Sequence, residues 1–483
     1  LLGFAGRDLS ALTVCAASGF WMLGRLTSPR GRVLLGGVVA WAATVSGLVG
    51  IAQVVGAVET GPLALAFGRP TGLASNPVYF GAISAAGLML CVTVWRPSNW
   101  RRFLVPLLVL GAATSVSGSR VALVAALFAI VVHTAVRRDR SSLLAGGMGV
   151  AALASGVLLD RVAGAGRNAA DRLIDGSGGG RTTVWRSGLE AFADRPLTGH
   201  GFGRFRPAVQ DKFTAEFVRE NAIDDVTQAW FDAHNVGIGV LVAVGVIGTA
   251  LLIAWAAAWL PSIRGPFAWA LLPLALHWCL QPVSLFTLPL AMLLFGAAGA
   301  EGVPTVPPGR RVTIAGVVVG AALAGPLVVG DFMFQHAVDE LDADKMATIA
   351  AAAGDDPILG DVVAQAYKLE ATSRDASSDE LDWRARVAAS EPDRPFWWSR
   401  LAEEQLEADQ IDEAEESVRR ARDLQLNNRR SVRVEILLAL RAGDEERLAA
   451  ALKLACVLGA GDCGIGAEEL IDEYRAADAA VGG

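Results

Sequence analysis

The stretch GRTTVWRSGLEAFADRPLTGHGFGRF (Gly180–Phe205), resumed after a polar run by AHNVGIGVLVAVGVIG (Ala233–Gly248), decides how this chain is read. It is the most conspicuous interruption of a membrane pattern. Apolar runs cover 9–24, 33–57, 72–95, 103–118, 120–136 and 142–159 before it, and 234–259, 267–281, 283–300 and 312–330 after it. A helical span needs roughly 20 such residues, or a few fewer where the ends snorkel. The expected fold class is therefore all-α: a polytopic helical membrane protein of about ten spans, with a large polar loop at 160–233. Composition agrees, since 53% of the 483 residues are hydrophobic and the mean hydropathy is +0.42, too apolar for an ordinary soluble protein.

The net charge of −7 hides a split. Residues 331–483 carry 17 Lys and Arg against 34 Asp and Glu, leaving 25 and 15 of the chain's 42 and 49 to residues 1–330. A basic, apolar part (1–335) is thus followed by an acidic, helix-forming, soluble part (336–483), and nucleic acid is not an expected partner. Arg25, Arg30 and Arg32 share one connection, Arg96, Arg101 and Arg102 another, and Arg137, Arg138 and Arg140 a third; Arg264, Arg310 and Arg311 follow. All fall on one side if ten spans alternate, and the positive-inside rule makes that side the cytoplasm. The loop 160–233, the turn at Ser117–Arg120 and the acidic tail then lie on the extracytoplasmic side of the cytoplasmic membrane. The loop's ten basic and eleven acidic residues do not argue against this, because long translocated loops escape the charge bias. The chain opens without an initiator Met or a signal peptide, as a fragment lacking upstream residues would.

Few residues in this setting suit chemistry. Arg120 ends the Ser-rich turn Ser117-Gly118-Ser119-Arg120 at the outer end of a hairpin; it either snorkels to headgroups or holds a diphosphate bidentately. Arg181 opens a short helical pattern in which Trp185, Leu189 and Phe192 share a face, a plain packing face for the membrane part, with Arg186 beside it. Arg195 to Gly203 (RPLTGHGFG) supplies glycines that let backbone approach closely, outside any nucleotide-binding setting. His234-Asn235 stands where an apolar helix resumes, after Asp224, Asp225 and Asp232. A neutral imidazole there could take a proton from an attacking hydroxyl, or be an ordinary interfacial histidine. His200 is a lesser candidate, His133 and His336 compete poorly, and His277, with Trp278 and Gln281 nearby, reads as a helix-packing polar residue. No motif points to a metal, and no cofactor is expected. Cys15, Cys91 and Cys279 read as small core residues; Cys456 and Cys463 bracket a turn and could pair in an oxidising compartment.

In order, Asn76-Pro77 with Gly81, Ser117–Arg120, Arg181 with Trp185, Pro196–Gly203, and His234-Asn235 with Gly245 and Gly248 make a set that resembles the O-antigen ligase and O-antigen polymerase family over about residues 70–300. The resemblance implies a metal-independent membrane transferase that moves a glycan from a polyprenyl-diphosphate carrier onto an acceptor hydroxyl at the outer face of the cytoplasmic membrane. It implies diphosphate binding by Arg120 and Arg181, with Arg186 added by proximity, and assistance to the acceptor by His234. Asn235, His200 and Trp185 are expected in support. Where family members often carry an acid two residues before the glycine, this chain has Ala243. The implied partners are the lipid-linked glycan donor, a glycan, lipid or protein acceptor, and the bilayer.

In the tail, helices are expected at 336–353, 359–373, 379–390, 396–408, 411–425 and 431–442, with Trp398, Leu401, Ala402, Ala414, Ala421 and Leu424 spaced like a tetratricopeptide unit. Such a tail caps the structure or docks a protein partner. Two rival readings stand beside the transferase: a flippase of lipid-linked glycans, for which paired broken helices or internal repeats are not evident, and an inactive anchor that displays the tail.

Overall fold

The computed structural model describes residues 11–57, 69–163, 180–220, 233–299 and 381–458, apart from scattered single positions. The described part is all-α. The first six helices are α1 (Ala11–Leu26), α2 (Pro29–Val54), α3 (Pro77–Val94), α4 (Trp100–Val116), α5 (Arg120–Arg137) and α6 (Arg140–Val162). Three short helices follow: α7 (Arg181–Asp194), α8 (Phe205–Val209) and α9 (Ala215–Glu220). Apolar helices resume with α10 (Val236–Trp259), α11 (Gly265–Trp278) and α12 (Thr287–Gly299). Of these, α2, α3, α5, α6 and α10 are long and apolar enough to cross a membrane, while α1, α4, α11 and α12 are shorter. The expected crossing at 312–330 lies outside the described residues.

Local chemistry sets the helix starts. Asn76 caps α3, its Oδ1 accepting from Val78 N at 2.8 Å, and Pro77 takes the first position, where a missing N–H costs nothing. Ser28 and Pro29 start α2 in the same way, and the Asp139 carboxylate caps α6.

Helix α3 is the centre of the bundle. It packs against α2, α4, α5, α6 and α11, and Phe80, Ala85, Leu88 and Met89 are wholly buried, so it is apolar all round. The outer helices turn large apolar side chains outwards: Val33, Leu34 and Val38 on α2, Phe128 and Val131 on α5, Leu251 and Ile253 on α10. In water so much apolar surface would drive association; facing lipid it is stable. Close crossings use small residues. A side chain at Gly24 would meet Ala297 N at 2.8 Å, and one at Gly296 would meet Arg25 N at 2.8 Å, so α1 and α12 touch backbone to backbone.

Alternation along the chain gathers the described arginines of the connections at one set of helix ends. Arg25 stacks over Trp259 at 4.9 Å, and Arg264 N donates to Ala298 O at 3.3 Å. The turn before Arg120, the start of α10 and the end of α11 belong to the opposite set.

The apolar run 234–259 reads as one unbroken span, and the structure corrects this. Gly245 has φ 63° and ψ −168°, a backbone open essentially to glycine alone, and it breaks α10. The segment Pro196–Gly201 fills the break. His200 N donates to Val242 O (2.8 Å), Gly201 N to Ala243 O (2.8 Å), Val246 N to Pro196 O (2.8 Å) and Ile247 N to Leu197 O (3.2 Å). Two glycines make the approach feasible. A Cβ on Gly199 would lie 2.5 Å from the Ala243 carbonyl carbon, and one on Gly245 would overlap the Leu197 carbonyl. Before the break, α10 packs on α7 and α8; after it, Val246, Ile247, Leu251 and Ile253 are exposed.

The tail folds as α13 (Pro395–Glu407), α14 (Ile411–Leu424), α15 (Arg429–Ala442) and α16 (Glu445–Leu458). The first three match expected helices; α16 does not appear among them, and the expected helices at 336–353 and 359–373 lie outside the described residues. Helices α13 and α14 pair, as do α15 and α16. The tail does not stand apart from the loop. Val432, Ile436, Leu452 and Leu458 share one buried cluster with Val184, Phe213, Phe217 and Val242, and Asn427 Nδ2 donates to Phe213 O at 2.8 Å. Cys456 is disulfide-bonded, while Cys463, its expected partner, lies outside the described residues; Cys91 and Cys279 are free thiols.

Gly245→Ala is expected to destabilise the protein by roughly 3 kcal/mol, from the strained backbone together with the overlap on Leu197, and Gly199→Ala by a similar amount. Both would show as lower melting temperatures in detergent; a wild-type melt for Gly245→Ala would refute the interlock. Ile436→Asp places a charge in the shared loop–tail cluster and should expose a protease-sensitive site around residues 205–218, which limited proteolysis would detect.

Candidate functional site

The sequence motifs meet in pairs. Gly81, one turn into α3, lies against the serine turn: a Cβ there would stand 2.5 Å from Ser117 Oγ and 3.0 Å from Ser119 Cβ. The turn itself is closely bonded. Ser115 Oγ donates to Leu153 O (2.7 Å), Ser117 Oγ donates to Thr114 O (2.7 Å), and Ser119 N donates to Ser117 Oγ (3.1 Å). Gly118 supplies the positive φ of 65° that turns the chain. Ser119 then caps α5, with Ala122 N donating to its Oγ, and the first residue of that helix is Arg120, half-buried at the loop end of the bundle. Arg69 reaches the same turn, its Nε donating to Ser117 O at 3.3 Å. Nothing in its sequence context marked Arg69, because no local pattern reports a contact made 48 positions away.

Arg181 and Trp185 lie one turn apart on α7 and so share a face. The indole N–H of Trp185 donates to Ala233 O at 2.9 Å. That bond fixes the residue immediately before His234. On the other side, Asn235 caps α10, its Oδ1 accepting from Ile238 N at 3.1 Å. Between these anchors His234 has φ 48°, a left-handed backbone that a non-glycine residue adopts at a cost of about 1 kcal/mol or more. Asn235 and Trp185 are thus the two residues that hold the His234 backbone.

The remaining candidates divide. Arg186 is on another face of α7, its side chain 80% exposed, and its Nε bonds Glu190 Oε1 at 2.9 Å. His200 donates Nε2–H to Ala191 O at 2.7 Å, tying the glycine-rich segment to the end of α7. Asp224, Asp225 and Asp232 lie outside the described residues. Lys212, unmarked in the sequence, pairs with Asp194 at 2.8 Å and Asp211 at 3.3 Å. The hydrogen bond from Lys212 holds the Asp194 carboxyl below the usual carboxylate range, and the same bond raises the Lys212 ammonium. Arg181 is also close enough to His277, on α11, for its charge to act on that ring. Since α11 packs on α5, the loop cation and the helix that starts with Arg120 flank the same end of the bundle.

Trp185→Phe keeps the ring and removes the N–H, so any activity that depends on the posture of His234 should fall about tenfold with little change in melting temperature. A turnover assay beside a thermal melt checks this; unchanged turnover would show that the bond does not serve His234.

Residues 107–253 match a family model described as O-Antigen ligase. The match starts in α4 and ends in α10, so it takes in the serine turn, Arg181 with Trp185, the Pro196–Gly203 segment, His234-Asn235 and Gly245. A comparison with curated proteins finds no match. Residues 107–253 of this multi-pass, all-α membrane protein form an O-antigen ligase family domain.

Proposed function

We propose that the chain transfers a glycan from a polyprenyl-diphosphate carrier onto an acceptor hydroxyl at the outer face of the cytoplasmic membrane. Family membership implies ligation or polymerisation of a lipid-linked glycan; the roles of individual residues, the orientation and the domain division at 335/336 are part of the proposal. The observation that carries it is the posture of His234. A strained backbone at the mouth of a membrane helix, held by Trp185 on one side and Asn235 on the other, is what a pre-positioned proton acceptor requires.

The chemistry asks little beyond placement and charge. The acceptor oxygen attacks the anomeric carbon, the bond from that carbon to the carrier's phosphate oxygen breaks, and the polyprenyl diphosphate leaves with the electron pair. His234 takes the hydroxyl proton. Arg181 and Arg120 neutralise the departing diphosphate, which is already a good leaving group, so positioning and electrostatics supply most of the rate. Arg186, paired outwards with Glu190, serves the loop's surface. The carrier's lipid chain reaches this end of the bundle from the bilayer. The arginines gathered at the opposite helix ends favour the cytoplasm for that side, by the positive-inside rule. The tail rests on the loop, where it steadies α8 and α9 and presents a surface to an acceptor or a protein partner; its paired helices suit a tetratricopeptide-like unit.

Purified protein in lipid nanodiscs, supplied with a radiolabelled lipid-linked glycan and an acceptor, tests this directly. His234→Ala should lower transfer by about 10²- to 10⁴-fold and Arg181→Ala by at least about tenfold. Full transfer in both variants would end the assignment. Impermeant thiol labelling of a cysteine placed at Leu189 should succeed from outside the cell; labelling only after lysis would overturn the orientation.

A further inference from the structure

His277 is wholly buried near the end of α11, on the side of the bundle that faces the loop, and neither of its ring nitrogens has a hydrogen-bond partner among the described residues. Ser84 Oγ of α3 is likewise buried and unmatched among the described residues, whereas other buried polar side chains of the bundle are bonded. Thr44, Thr114 and Ser115 each donate to a backbone carbonyl at 2.7 Å, and Gln53 Oε1 accepts from both Thr71 N (2.9 Å) and Gly72 N (3.0 Å). His133, the other buried histidine of the bundle, lies at the arginine end, edge-on to Trp269 at 4.8 Å. Packing alone does not explain His277, because a leucine or phenylalanine would fill the space without leaving two polar atoms unmatched.

Its location supplies a reason. The charge of Arg181 acts on the ring, and α11 packs against both α3, which carries Gly81 beneath the serine turn, and α5, which begins with Arg120. The ring therefore sits at the boundary between the loop and the bundle, among the elements that carry the candidate cations. We infer that His277 is a further substrate-binding residue, which donates a ring N–H to an oxygen of the carrier's diphosphate beside Arg181. This rests on the transferase reading above. A neutral donor has a use there: it adds a directed bond to the anion without a further cation in a low-dielectric place, where each additional charge is expensive.

The test is binding, without turnover, of a glycan-free polyprenyl diphosphate to the full chain in nanodiscs, beside a thermal melt of each variant. Arg181→Ala and His277→Phe should each weaken binding by about tenfold to a hundredfold, the loss expected for a hydrogen bond to a charged group. His277→Phe should melt no lower than the wild type, because it removes unmatched polar atoms. His277→Gln, whose amide also donates, should recover much of the binding. Should His277→Phe fail to fold, His277→Met, apolar and flexible, takes its place in the comparison. Tight binding by the apolar variant together with weak binding by Arg181→Ala overturns the role of His277 and leaves the transferase reading intact. A glutamine variant as weak as the apolar one also overturns it, since shape and not donation would then be at stake. If the wild type does not bind the diphosphate, or Arg181→Ala binds as well as the wild type, the donor site itself is wrong and His277 falls with it.

Discussion

Four backbone hydrogen bonds between Pro196–Gly201 and the break in α10 hold the loop to the membrane helix. A helix broken near lipid frees carbonyl and amide groups that water does not reach, and such groups must be satisfied from within the protein. Here the loop satisfies them. The bond set serves two ends at once: it makes the break tolerable, and it fixes the loop's glycine-rich segment, with His200 pinned to α7, at one height on α10. Because α7 carries Arg181 and α10 begins beside His234, locking one to the other fixes the spacing of the two candidate groups. The break also separates two environments. Above it α10 packs on α7 and α8; below it the helix offers leucine, isoleucine and valine outwards.

The motifs of this family domain are accordingly more about geometry than chemistry. Pro77 and Asn76 begin a helix, Gly81 admits the serine turn, Trp185 bonds the chain before His234, and Asn235 starts the next helix. Gly199 and Gly245 let two backbones meet. Arg120, Arg181 and His234 are each set on or beside an element that one of the motif residues positions. Ala243 fits this division. Its carbonyl accepts the Gly201 N–H, a bond that needs the backbone and not the side chain, so the interlock survives the absence of an acid there.

How much of this could be read from the chain depends on the range of the interaction. Apolar runs are local, and they located α2, α3, α5 and α6 closely. Three of the described tail helices were legible for the same reason, because Trp398, Leu401 and Ala402 repeat at helical spacing and bury as a set, while α16 was not expected. The break at Gly245 was not: a glycine in an apolar run looks the same whether it packs a helix or ends one, and only the partner segment 196–201 decides. Arg186 shows the converse limit. Its nearness to Arg181 suggested a shared ligand, yet five positions on along a helix is another face, where its Nε bonds Glu190, one turn on. Arg69, Lys212 and the loop–tail cluster involve distant positions and left no mark in composition or spacing.

The tail's docking bears on topology in a way that charge counting does not. Helix α12 runs from the loop end of the bundle at Thr287 to the arginine end at Gly299, where Ala298 O accepts from Arg264 N. Helices α15 and α16 share a buried cluster with Phe213 and Phe217 of the loop. Gly299 and the tail therefore belong to opposite ends of the bundle, and if α12 spans the bilayer they lie on opposite sides of it. The acidic charge of the tail then lies on the side of the loop, away from the arginines of the connections. Burying Ile436 and Leu452 against Phe213 gives that placement a hydrophobic cause, one that high salt would not weaken as it would an attraction between surface charges.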